Sequence, residues 1–262
     1  MAYASYPQEN PNQAPSFEQK KISTPVNKML AKSFGYMALG LAVSAAVAFL
    51  VSYVFVYVLN WTASNGNSTT NWEIGYFVTM GVSFVGLLIS GVAMSIVMAK
   101  NKHSAWVPYL LYTAFMGVFL SSFLVMGIDF KTIGEALLLT GGAFLAMFFI
   151  GYFSKANMNV LGMVLSLFLT MLLFFALFWS IKILISGNAL EYYLYDLVIT
   201  GALLLVSILV VSIDAYNIKR ILERAEGMKN VALFCAYVMY CDFIIIFLRV
   251  LYILLLILGK KK

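Results

Sequence analysis

The chain has 262 residues, 63% of them hydrophobic and 11% charged, with a mean hydropathy of +0.92. A soluble domain carries roughly a quarter of its residues as charges, so this composition excludes a water-soluble enzyme or binding domain and defines an all-α integral membrane protein. The net charge of +6 concentrates beside apolar runs, where it reads as topology and lipid contact and not as nucleic-acid binding.

Residues 1–24 carry Pro7, Pro11 and Pro15 among Gln and Asn without apolar periodicity, the pattern of a disordered polar tail. Residues 25–262 form one membrane domain. Thr24 followed by Pro25 has the form of a helix N-cap with proline at the first helical position. The first apolar run is too long for a signal-peptide core and reads as a retained span. Spans are expected at Ser33–Asn60, Gly75–Met98, Trp106–Met126, Gly134–Phe153, Val160–Trp179, Tyr193–Tyr216 and Val231–Leu258, each able to cross a hydrocarbon core of roughly 30 Å. Trp61 and Trp72 bracket a Ser/Thr/Asn-rich connector as interfacial anchors; Asn67-Ser68-Thr69 within it fits a glycosylation pattern too short to assign. Gly81, Gly86 and Gly91 in the second span, and Gly141 with Gly142 in the fourth, are expected to permit close helix packing.

With the N-terminus on the cytoplasmic side, the cytoplasmic segments hold eleven basic residues, from Lys20 to Lys229, against Lys131 and Lys182 on the other side. That asymmetry sets the orientation. Lys260, Lys261 and Lys262 then fall outside if the last span crosses fully. Cys235 and Cys241 lie six apart inside that span as small buried thiols, and the single histidine, His103, leaves no histidine-based metal site to assemble.

Two carboxylates interrupt the last two spans. An ionised carboxylate in hydrocarbon requires a partner, a proton, a bound cation or a water path. Asp214 lies five residues before Lys219, so an interfacial ion pair, a cytoplasmic latch with Lys219 or Arg220, is one reading. Asp242 is eleven residues into its run, about 16 Å along a helix. Arg249, seven residues on, shares its face and is a candidate charge partner, or snorkels outward. Two carboxyl groups sharing a site instead retain one proton between them. A turn centred near Glu223 leaves Asp214 and Asp242 roughly 15 Å apart in height. A helical extension through Ile218–Arg224 is one way to close that gap. Hydrolase, metalloprotease and phosphate-loop motifs are absent, and the strings Ile213-Asp214 and Cys241-Asp242 do not fit those of an intramembrane aspartyl protease.

The opening string KSFGYMALGLAVSAAVAF, the sixth-span exit VSIDAYNIKRI and the last-span string LFCAYVMYCDFIIIFLRVL together resemble the Bax inhibitor-1 family, in a prokaryotic member, over about residues 28–258. The resemblance implies six helices around a central seventh, and a calcium leak controlled by an aspartate pair, Asp214 with Asp242, that latches a closed state through a shared proton. It implies calcium as the transported ion and no tightly bound cofactor. Two carboxylates fall short of the six to eight oxygens calcium prefers, so waters or carbonyls complete its shell. Two other functions remain open: a non-conducting regulator of another membrane protein or protease, and a proton-coupled carrier of a small solute with Tyr237 and Tyr240 lining its site. The expected location is a prokaryotic plasma membrane, N-terminus cytoplasmic.

Overall fold

The computed structural model describes residues 24–58, 71–100, 104–154, 158–186, 189–224 and 230–259. The polar tail before Thr24, Trp61, the Asn67-Ser68-Thr69 string, His103, Lys155, Gly227 and the terminal lysines lie outside the described residues. What is described is helical: α1 Thr24–Tyr53, prolonged by a π-helical turn at Val54–Val58, then α2 Asn71–Lys100, α3 Trp106–Val125, α4 Phe130–Phe153, α5 Met158–Ser186, α6 Ala189–Glu223 and α7 Val231–Gly259. Seven of these helices have the length and apolar composition to cross a membrane. The chain is an integral membrane protein in a lipid bilayer, where helices satisfy every backbone group internally.

The observed ends differ from the expected spans where polar residues continue or start a helix. α4 begins at Phe130 and not Gly134, because the Asp129 side chain accepts from the Lys131 backbone N–H at 3.3 Å and caps the first turn. α6 runs to Glu223, seven residues beyond Tyr216, through the strong helix formers of NIKRILE. Its 35 residues are about 52 Å long, so it projects well past a core of roughly 30 Å. Asn230, at φ 68°, turns the chain sharply into α7, a conformation asparagine tolerates.

α7 packs against α1, α4 and α6 and touches α2 and α3, while α5 lies against α6 at the periphery. Cys235, Ala236, Met239, Tyr240, Ile246 and Leu251 on α7 are wholly enclosed, and Phe144 and Phe148 of α4 meet them in the same core. Most described side chains of α5 instead point outward, with Met158 and Leu165 buried, and exposure here means contact with acyl chains.

Two glycines bring helix backbones together. A Cβ on Gly151 would lie 2.6 Å from the Ser212 carbonyl carbon and closer still to its oxygen, so α4 and α6 touch two residues before Asp214. A Cβ on Gly117 would lie 2.6 Å from the Ser44 carbonyl oxygen, which fixes the crossing of α3 and α1. Of the glycines singled out from the sequence, Gly86 and Gly91 meet Phe115 and the Tyr237 hydroxyl respectively. A methyl added at Gly81, Gly141 or Gly142 would meet nothing within 4 Å, so these three pack against no neighbour there.

Candidate functional site

Asp214 and Asp242 lie at matching heights because α6 ends at Glu223 and α7 starts only at Val231. Asp214 is nine residues before the end of α6 and Asp242 eleven after the start of α7, about 13 Å and 16 Å from their helix ends. The gap of roughly 15 Å reckoned from an apex at Glu223 therefore does not exist. The two carboxyl groups stand beside each other, within reach of sharing a proton, and the Asn217 side chain stands beside Asp214 from one turn further along α6. Carboxylates only accept. A bond between two carboxyl groups therefore contains a proton.

The direction of Asp242 is set by its two predecessors. Successive helix residues point about 100° apart. The Tyr240 hydroxyl hydrogen-bonds Ser44 Oγ at 2.6 Å, and Ser44 donates to the Thr113 carbonyl at 2.8 Å, which ties α7 to α1 and α3. Cys241 Sγ donates to the Tyr112 hydroxyl at 3.5 Å. With residues 240 and 241 held toward α1 and α3, residue 242 turns to α6.

A cavity of about 450 Å³ reaches Asp214 from the end of the bundle where α6 passes to α7, lined by Asn217, Ile218, Arg220, Ile221, Arg224, Phe234 and Val238 as well. Beyond the pair Phe243 stands edge-on to Phe144 at 5.8 Å, and Ile246 is fully enclosed. Asp214 thus lines the open vestibule, and Asp242 stands behind it on α7.

The remaining charged candidates are placed elsewhere. Lys219 Nζ donates to the Tyr152 carbonyl at 3.3 Å and lies over that ring, and Arg220 stacks on Tyr216. Among the described residues neither forms an ion pair with Asp214, and Arg249 forms none with Asp242. Arg249 Nε is buried with no hydrogen-bond partner among them. One turn beyond it, the Tyr252 hydroxyl donates to Asp196 of α6. Tyr240 is committed to Ser44, and Tyr237 packs edge-on against Tyr112 at 4.9 Å, so neither lines the vestibule.

Asn217 was not among the residues singled out from the sequence, although its position three after Asp214 on a helix was a readable signal. Ser44 carried none. Its partner is 196 residues away.

These features define a class: a seven-span helical membrane protein holding a carboxyl pair between its last two helices, with Asp214 of the pair lining an open vestibule. The chain belongs to the family described as "Inhibitor of apoptosis-promoting Bax1", which matches residues 26–259. It is similar to the inner membrane protein YbhL of Escherichia coli, at 25% identity over 247 residues covering 89% of this chain and 92% of that one. It is also similar to an uncharacterized protein of Borreliella burgdorferi, at 29% identity over 255 residues (90% and 93%). An uncharacterized membrane protein of Streptococcus pyogenes is 27% identical over 228 residues (86% and 91%). No solved structure gives a significant match.

Proposed function

We propose that the chain is a pH-gated cation leak, with calcium as its main ion, in the plasma membrane of a prokaryote. The observation that carries the reading is the pairing of the Asp214 and Asp242 carboxyl groups between α6 and α7, beside the vestibule that Asp214 lines. With one proton between them the groups attract, and α6 and α7 stay together. When that proton leaves, two like charges face each other at short range in a medium of low dielectric, and they separate or take up a cation. Flux therefore rises as pH rises. Cys241 is the titratable group beside the pair, and Arg220 and Arg224 are the charges in the vestibule.

Asp214, Asp242 and the Asn217 carbonyl supply too few oxygens to hold calcium tightly, and water or backbone carbonyls complete the shell. Weak binding suits permeation, because an ion must also leave. The two arginines oppose cation entry from the vestibule, which suits a slow leak better than a fast channel. The basic residues on the connectors at that end favour placing it, with the N-terminus, on the cytoplasmic side.

The test is calcium uptake into proteoliposomes holding the purified protein, scanned between about pH 5 and pH 8. Protein-dependent flux that grows with pH is expected. No flux above that of empty vesicles, from protein shown to be folded, would turn the reading toward a regulator of another membrane protein.

A further inference from the structure

On the opposite side of α7 from the vestibule, α1 and α4 are bridged by aromatic pairs at two heights and part between them. Phe34 meets Phe148 edge-on at 5.0 Å, and Phe49 stacks on Phe130 at 5.8 Å. The two bridges are fifteen residues apart on α1, about 22 Å. Between them lies a cavity of about 390 Å³, floored by Phe243, Ile244, Phe247 and Leu251 of α7. Its floor begins at the residue after Asp242.

The cavity is made by small residues. Ala42, Ala45 and Ala48 of α1 face Ile133 and Leu137 of α4 across it. Ser44 is the one polar residue of the lining, and its hydroxyl is already engaged with Tyr240 and the Thr113 carbonyl. Water needs two to four polar partners to occupy such a space, and apolar cavities of even about 150 Å³ stay dry and admit small hydrocarbons. An empty space of this size would forfeit the dispersion contacts of its whole lining.

At the Phe49–Phe130 bridge the cavity adjoins a wider groove of about 860 Å³, with which it shares Phe49, Leu124 and Phe130. That groove passes Leu50, Tyr53 and Val56 and ends at Gly127, Ile128 and Asp129, the turn joining α3 to α4. Beside the turn, Lys131 and Glu135 form an exposed ion pair at 4.0 Å. The polarity runs from hydrocarbon at the inner end to charge at the outer end. A bilayer lipid has that same gradient.

We propose that this is a binding site for a phospholipid, with one acyl chain inside the α1–α4 window against α7 and the headgroup at the α3–α4 turn. Its floor residues are 9% exposed or less, so lipid passing along the outer surface does not reach them. A lipid seated in the window does.

The full-length protein is reconstituted in phosphatidylethanolamine–phosphatidylglycerol vesicles doped with a phosphatidylcholine bearing a diazirine midway along one chain, irradiated, and its adducts mapped by peptide. Adducts are expected on Phe243, Ile244, Phe247 or Leu251, besides those on outward-facing residues such as Leu138. In Ala48→Phe, which fills the window, the α7 adducts should fall to background and the Leu138 adducts persist. A parental map confined to outward-facing residues overturns the proposal, and so do α7 adducts that survive in folded Ala48→Phe. Should that variant not fold, the parental map decides alone.

Discussion

Gly151→Ala tests whether the contact of α4 with α6 sets the geometry of the carboxyl pair. The added methyl would lie 2.6 Å from the Ser212 carbonyl carbon and Cα, where ordinary contact begins at 3.4 Å. The obstacle is backbone, which cannot rotate aside, so the helices must part by about 0.8 Å or more at that level. Overpacking of this kind costs about 1–3 kcal/mol. The displaced strip of α6 carries Asp214 two residues on, so the loss should come with a weakened carboxyl contact and higher basal flux at low pH. The control is Gly141→Ala, whose methyl meets nothing within 4 Å. Removing a helix-interior glycine there is neutral or stabilises by up to about 1 kcal/mol. Unfolding of the two variants and the parent, titrated with denaturing detergent in mixed micelles, measures the difference. Equal stability of Gly151→Ala and Gly141→Ala would refute the reasoning.

Tyr240→Phe removes the hydroxyl that ties α7 to Ser44, and a loss of about 0.6 kcal/mol, and no more than about 1.7 kcal/mol, is expected from the same titration, the mean and maximum for interhelical hydrogen bonds in a membrane. Arg249→Met deletes a guanidinium that forms no ion pair among the described residues, so the pH profile of calcium flux should match that of the parent. A lost pH response in that variant would restore Arg249 as the partner of Asp242. Asp214→Asn keeps the shape of the side chain and removes a charge, and its flux should be shifted in pH or leakier; an unchanged curve would leave Asp214 as a structural residue of the vestibule wall.

The seven spans were legible because lipid imposes a length and a composition on every crossing helix, and those are properties of single segments. The meeting of Asp214 and Asp242 was not. It depends on where α6 ends, and the residues from Asn217 to Glu223 continue the helix past the apolar run, so that similar distances are counted from Glu223 and Val231. The helix-forming character of that stretch was readable, but not how it would place the connector. Packing glycines show the same division. Gly141 and Gly142 looked like a contact surface, yet Gly151 makes the contact, because closeness depends on what the facing helix presents, in this case the backbone of Ser212. Arg249 shares a helix face with Asp242 in sequence, but the carboxyl turns to α6 because Tyr240 and Cys241 are held on the other side.

The central claim is that the proton between Asp214 and Asp242 governs passage of the ion. Calcium flux of Asp242→Asn in proteoliposomes, scanned over pH beside the parent, tests it most directly. The account predicts that the parent's rise in flux with pH disappears in the variant, since the amide neither gains nor loses a proton in that range. A folded Asp242→Asn protein whose flux follows the parental pH curve would contradict it.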